Sequence, residues 1–404
     1  MKTNSVPKIR FKGFTDDWEQ RELGEIAARV QGNDGRMDLP TLTISAANGW
    51  MNQKERFSGN IAGKEQKNYT LLHKGELSYN HGNSKLAKYG AVFSLETYKE
   101  ALVPRVYHSF KVIDGNPKFI EYYFATKIPD RELAKLVSSG ARMDGLLNIN
   151  FNEFMGINLT VPNKSEQEKI SNYFSNLDHL ITLHQRKCEQ TKELKKFMLQ
   201  KMFPKKGEKN PEIRFPGFTD DWEQRKLGDV FDERSERASG NEELLSVTIS
   251  NGVIRQIDSE KRNIASEDKS NYKVVKKGDV PYNSMRMWQG AVGTSDYDGI
   301  VSPAYTVLIP KNNCNGKFFM ELFKKQPTLE NFKRWSQGLT SDTWNLKYPV
   351  LSTIPFMVPS VKEQEKIAEY FKSLDHLITL HQRKCEQLKE LKKFMLQNMF
   401  PKKG

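Results

Sequence analysis

The sequence predicts an α+β chain of two halves, each a divergent domain followed by a long helix, with the two helices pairing antiparallel as a coiled coil. Two observations carry this: an almost literal internal repeat, and a heptad pattern closing each half. The 404 residues exceed what one hydrophobic core usually serves, which agrees with more than one domain.

The repeat consists of two blocks that each occur twice. IRFKGFTDDWEQRELGEI (Ile9 to Ile26) returns as IRFPGFTDDWEQRKLGDV (Ile213 to Val230), at an offset of 204. The block Glu166 to Gly207 returns as Glu363 to Gly404, at an offset of 197, and both copies carry the run LDHLITLHQRKCEQ. Between the blocks, residues 27–160 and 231–357 share only fragments, such as KGELSYN (Lys74 to Asn80) against KGDVPYN (Lys277 to Asn283). A solenoid diverges evenly over many short units, whereas here the edges match and the middles do not. Matching edges imply one scaffold job; divergent middles imply two different targets. The expected layout is a first domain over 1–161, a first helix over 162–207, a second domain over 208–358 and a second helix over 359–404.

Each helix opens on a start signal: Asn163 with Glu166, and Ser360 with Glu363, where the first side chain caps the free amides and the glutamate reaches back. Apolar positions then alternate four and three apart, at Ile170, Phe174, Leu177, Ile181, His184 and Cys188, with Met198 further on. The second copy reads Ile367, Phe371, Leu374, Ile378, His381, Cys385, Leu388 and Met395, and Pro204 and Pro401 end the two runs. The simplest burial for two such seams is against each other. The intervening domain is long enough to return the chain antiparallel, which gives a pseudo-twofold axis with Leu183 and Leu380 near the crossing. His184, His381, Cys188 and Cys385 then set register, the other reading being a metal site. The lysines Lys192, Lys195, Lys196, Lys389, Lys392 and Lys393 suit the negative helix ends, or else reach phosphates.

Composition narrows the function classes. The formal net charge is +13, which favours a polyanionic partner. Residues 164–207 hold ten Lys/Arg against five acids and residues 361–404 ten against six, so nine of the thirteen excess charges sit there. No apolar run approaches the ~18 residues of a membrane span, and the start MKTNSVPKIRFKGF has no apolar core, so a cytoplasmic location is expected. The three cysteines form no CxxC pair, which argues against a disulfide framework or a zinc knuckle. No GxxxxGK[ST], GxGxxG after a strand, HExxH, GxSxG or [DN]PP[YF] motif occurs, and no set of acids and lysine suggests a nuclease.

The paired signatures WEQREL at Trp18 and WEQRKL at Trp222, followed by EQEKI at Glu166 to Ile170 and Glu363 to Ile367 before a long helix, resemble the specificity subunits of type I restriction-modification systems. The resemblance covers essentially the whole chain. It implies two mixed α/β target-recognition domains separated by two long antiparallel helices. It implies a non-catalytic subunit that reads a bipartite double-stranded DNA target with a fixed spacer. Two methyltransferase subunits dock on the helices, with up to two nuclease-translocase subunits outside them. No cofactor is expected on this chain; S-adenosylmethionine, ATP and Mg are expected on the partners.

Candidate DNA-reading residues lie where each half runs from a strand into a polar, glycine-bearing loop. In the first half these are Asn80, His81, Asn83, Ser84, Lys85, Lys88 and Tyr89; in the second they are Asn283, Ser284, Arg286, Trp288 and Gln289. Arginine forks onto guanine, amides onto adenine, and lysine or serine onto base edges or phosphate. A second stretch precedes each helix and offers Arg142, then Gln337, Ser341 and Thr343. Trp288, with Trp335 and Trp344, suits packing better than stacking, because duplex readout does not splay bases. Each of these residues could equally be part of a solvated turn. Two other functions fit parts of the pattern: a stand-alone DNA-modifying enzyme, and a coiled-coil adaptor that binds no DNA.

Overall fold

The computed structural model describes residues 6–57, 63–82, 84–137, 146–239, 242–259, 265 and 268–401. The chain divides into two compact units, Met1–His184 with Arg383–Gly404, and Gln185–Gln382. The boundary falls inside both long helices, Lys164–Lys201 and Val361–Asn398. Each unit therefore contains one domain, the opening part of the helix that follows it and the closing part of the other helix.

In the first unit the domain is built on a four-stranded antiparallel sheet, in the order Ala27–Arg29, His108–Val112, Leu77–Asn80, Ala91–Ser94. Its buried face holds Leu77, Tyr79 and Phe110 and is covered by the helix Pro117–Ala125, capped by Asn116. Two hairpin-like pairs, Leu42–Ser45 with Gly49–Asn52 and Thr70–His73 with Glu100–Val103, form a separate small core around Leu42, Leu72 and Val103. The second unit repeats the plan. Its sheet is three-stranded, in the order Phe231–Glu233, Tyr305–Pro310, Val280–Asn283, and a single bridge from Tyr282 to Val292 stands where the first unit has a fourth strand.

The repeated blocks, distant in sequence, meet in space. Glu19–Glu22 pairs with Asn158–Val161, and Glu223–Lys226 pairs with Pro355–Val358, so each domain's first strand is stitched to its last before the helix begins. Arg10 then reaches Glu166 at 2.7 Å through two nitrogens, and Arg214 reaches Glu363 in the same way. This corrects the expected capping boxes. Asn163 caps the first helix through the Glu166 amide, and Ser360 caps the second through the Glu363 amide. The two glutamates do not reach back; they are fully buried and taken by the arginines, because a buried carboxylate gains more from a bidentate guanidinium than from one amide.

Within each unit the two helix parts run antiparallel. In the first, Phe174 meets Phe400 and Asp178 meets Lys392; in the second, Phe371 meets Phe203, Asp375 meets Lys195 and Ile378 meets Cys188. The heptad residues Ile170, Phe174, Leu177, Ile181 and Cys188 are buried, as are Ile367, Phe371, Leu374, Cys385 and Leu388, while Ile378 is half-buried. Where each helix ends, a Met-Phe pair plugs the core: Phe400 packs on Trp18 and Phe119, and Phe203 on Trp222 and Phe318, all at 5.4–6.1 Å. Among the described residues no helix is long and apolar enough to cross a membrane, and no cluster of three His, Cys, Asp or Glu is placed to hold a metal.

Candidate nucleic-acid interface

In the second unit the strand Val280–Asn283 ends at the rim of a cleft of about 910 Å³. Asn283, Arg286 and Gln289 line one side, and the hairpin Leu245–Thr248 with Gly252–Arg255 supplies the other, through Thr248, Ser250 and Asn251. Tyr305 and Gln256 complete the polar wall. The turn that carries the arginine is pinned from inside. Asn283 Oδ1 accepts from the Met285 amide, and a short 3-10 turn, Met287–Gln289, closes on Gly290, whose φ of +86° favours glycine. Met287 is buried beneath, so Arg286 is held outward, where it pairs with no carboxylate among the described residues. An unpaired guanidinium and neighbouring amides facing an open cleft form a surface that accepts a polyanion and offers bidentate donors to base edges.

The first unit places its loop at the matching strand end. Ser84 and Ala87 exchange backbone hydrogen bonds at 3.1 and 3.2 Å, which pushes Lys85 out beside Leu86; Lys88 is also exposed, with its Nζ 5.3 Å over the Tyr89 ring. Neither lysine pairs with a carboxylate among the described residues. Asn80 is half-buried, its amide reaching the Ile44 carbonyl at 3.3 Å and its oxygen accepting from the Gly82 amide. Asn83 and Arg142 lie outside the described residues.

Two candidates face inward instead of toward a partner. Ser284 is buried and shares a hydrogen bond with Thr306 at 2.8 Å. His81, at the equivalent position, is buried with its two ring nitrogens on the Leu147 and Val106 carbonyls, and it stacks on His108 at 4.8 Å. Both follow the last strand residue, where the alternation of side chains turns them into the core. Trp288 is half-buried and packs edge-on against Trp344 at 5.2 Å. Gln337, Ser341 and Thr343 are exposed on a loop closed by the reciprocal pair Gln337 and Asn345. The hairpin residues Thr248, Ser250, Asn251 and the wall residues Gln256 and Tyr305 escaped sequence reasoning because they lie some 20 to 40 positions from Arg286. The SNG turn marks a hairpin, but nothing local shows what it faces.

The burial of His108 has a consequence for acid stability. Burial is the main cause that pushes His108 down to about 4, and the neighbouring His81 and Arg29 add to it. A histidine held neutral in the folded state but protonated near 6.5 when unfolded costs stability as pH falls from about 6.5 toward 4, and no more below that. With its partial solvent access the loss is about 2 kcal/mol. Replacing the pair by the serine and threonine of the other unit, H81S/H108T, is expected to flatten this part of the profile. Thermal melts of the full chain from pH 7 to pH 4.5 check it; an unchanged acid slope in the double variant counts against the assignment.

Comparison with known proteins agrees with this architecture. The family model described as "Type I restriction modification DNA specificity domain" matches twice, over residues 15–193 and 219–390. The MjaVIII type I restriction enzyme specificity subunit of Methanocaldococcus jannaschii is 26% identical over 282 residues, which is 64% of each chain. The HindI specificity subunit of Haemophilus influenzae is 24% identical over 187 residues, 45% of this chain and 41% of that one. The chain thus matches less than two thirds of the length of these two relatives. The solved S subunit of a type I restriction-modification system from M. genitalium shares the fold, with a TM-score of 0.60 and 15% identity over 98% of this chain and 99% of that one.

Proposed function

The chain belongs to the type I restriction modification DNA specificity domain family, and from that premise we propose that it is a non-catalytic recognition subunit that reads a split double-stranded DNA target, one part with each domain. The observation that carries the reading is the pairing of like scaffolds with unlike, cation-bearing loops: Lys85 and Lys88 on one domain, Arg286 with Asn283 and Gln289 on the other, all at the same strand end. A scaffold kept in duplicate under two divergent loop sets suits one protein that reads two different half-sites. The long helices then fix the unspecified spacer between them.

Catalysis in this reading belongs to partner subunits, methyltransferases and nuclease-translocases, which would carry S-adenosylmethionine, ATP and Mg. Each unit offers such a partner the same exposed apolar triple: Leu180, Leu391 and Phe394 in the first, and Leu377, Leu194 and Phe197 in the second. Within each unit the three lie at one level of the helix pair, beside the Asp178–Lys392 or Asp375–Lys195 ion pair. Large apolar side chains left in water at matched positions fit two copies of one protein partner.

The test is equilibrium binding of the full chain to duplex DNA across a salt series, followed by selection of bound sequences from a random pool. Affinity that falls steeply with salt and a recovered bipartite sequence are expected. Inserting one heptad midway along one helix should change the spacer and leave both half-sites as they were; an unchanged spacer defeats the proposal. The double variant F197A/F394A is expected to lose co-purifying methyltransferase subunits while keeping DNA affinity.

A further inference from the structure

Leu339 is the most exposed large apolar side chain among the described residues, with a relative exposure of 101%. A leucine in water forfeits the hydrophobic gain of burial, and a loose loop would fold it inward. This loop is braced against doing so. The Gln337 and Asn345 backbones exchange hydrogen bonds at 2.9 and 2.8 Å across its base. Nearer the tip, the Thr343 and Trp344 amides both donate to the Thr340 carbonyl, and Thr343 Oγ1 accepts from the Thr340 amide. Gly338 sits at φ +144°, and a side chain there would lie 2.6 Å from the Thr343 carbonyl oxygen, so that corner admits glycine alone. The loop is also fixed to the turn that carries Arg286. Trp344 packs edge-on against Trp288, and the Trp288 ring N–H donates to the Met285 carbonyl. The residues that follow Leu339 on the tip, Thr340, Ser341 and Asp342, are small, polar and exposed, and Lys333 and Arg334 at the loop's base are exposed cations.

We propose that Leu339 is a specificity residue that reads the 5-methyl group of a thymine in the half-site bound by the second domain; this rests on the DNA-reading function proposed above. A thymine methyl is the apolar feature of the major groove, and it is read by apolar contact. Arg286, tied to the same loop, supplies the bidentate donor that reads guanine in that groove. A rigid tip that sets one apolar group among small polar ones fits a groove floor, where a single methyl lies among hydrogen-bonding atoms. A protein partner would instead call for a wider apolar patch on the tip itself, where Gly338, Thr340, Ser341, Asp342 and Thr343 supply none; the exposed Trp335 and Met285 lie at the loop's base and on the Arg286 turn.

The experiment uses the full chain and the duplex it selects from a random pool. Each thymine of the second domain's half-site is replaced in turn by deoxyuridine, which removes only the methyl group, and affinity is read by fluorescence anisotropy. Wild type is expected to lose about fourfold at one position, the value of one buried methyl. L339A is expected to lose at least that much on the thymine duplex and to bind the thymine and deoxyuridine duplexes equally at that position. Wild-type affinity in L339A, or a deoxyuridine pattern identical to wild type, overturns the proposal. So does a variant that keeps its DNA affinity but loses a partner subunit. If R286A abolishes sequence selection while L339A behaves as wild type, only the leucine assignment fails; if wild type selects no sequence, the DNA-reading function fails with it.

Discussion

Residues 1–207 alone are expected to form a dimer. The first unit is completed not by its own helix end but by Arg383–Gly404, which brings Cys385, Leu388, Met399 and Phe400 into the core around Trp18, Phe119 and Phe174. A chain cut at 207 lacks that segment but carries a near copy, residues 186–207, which differs from 383–404 at two positions, Thr191 for Leu388 and Lys201 for Asn398. A second molecule can donate its copy and receive one in return. The Lys201 change is harmless, because that position serves through its carbonyl: Asn398 accepts from the Ile9 amide, and Lys201 already accepts from the Ile213 amide in the second unit. The Thr191 change is not, because Leu388 is buried and threonine brings a hydroxyl and less apolar surface, at about 1–2 kcal/mol per site. The half-chain should therefore dimerise weakly, and T191L should tighten the dimer by roughly thirtyfold or more, the loss being repeated at two sites. F203A, which removes the aromatic plug, should leave unfolded or aggregated monomer. Sedimentation equilibrium reads all three; a stable, soluble monomer of residues 1–207 defeats the account.

What the sequence makes legible follows from the range of the interaction involved. The seam was readable because its period is local: Ile170, Phe174, Leu177 and Ile181 declare one helix face within twelve residues, and their burial follows. Helix starts were readable for the same reason, since Asn163 caps an amide three residues on. Glu166 shows where local reasoning stops. A glutamate at that spacing matches the reach-back pattern, but its partner is Arg10, 156 positions away, and only the repetition of both blocks hints that they touch. The two candidate site residues that point inward failed in the same way. Ser284 and His81 are polar and follow a strand, which suits recognition, yet the partners that bury them, Thr306 and His108, come from another strand of the sheet. The cleft had to be assembled from the Arg286 turn and the 248–251 hairpin, whose meeting depends on the sheet as a whole.

The pairing of Arg10 with Glu166 sets the second large expected effect. The carboxylate is wholly buried and the arginine side chain nearly so, and the guanidinium also donates to the Asp16 carbonyl at 2.6 Å. The Glu166 hydrogen bond is the leading cause that raises Arg10 above its ordinary value, so the guanidinium stays charged at any working pH. Such a pair adds little net stability relative to an apolar replacement, because both charges have left water. Breaking it is a different matter: R10A leaves a charge stranded at the junction of first strand, last strand and helix start, at a cost of about 3–5 kcal/mol. Removing that charge as well should return most of the loss, so R10A/E166Q is expected to be markedly more stable than R10A. The matching pair predicts the same order for R214A and R214A/E363Q, since Arg214 holds Glu363 in the same two-nitrogen grip and donates to the Asp220 carbonyl. Urea unfolding of the full chain should show one unit melting early in each single variant. If R10A unfolds with wild type, or if E166Q fails to rescue it, the repeated arginine and glutamate do not lock each domain to its helix, and the persistence of both blocks in the sequence needs another cause.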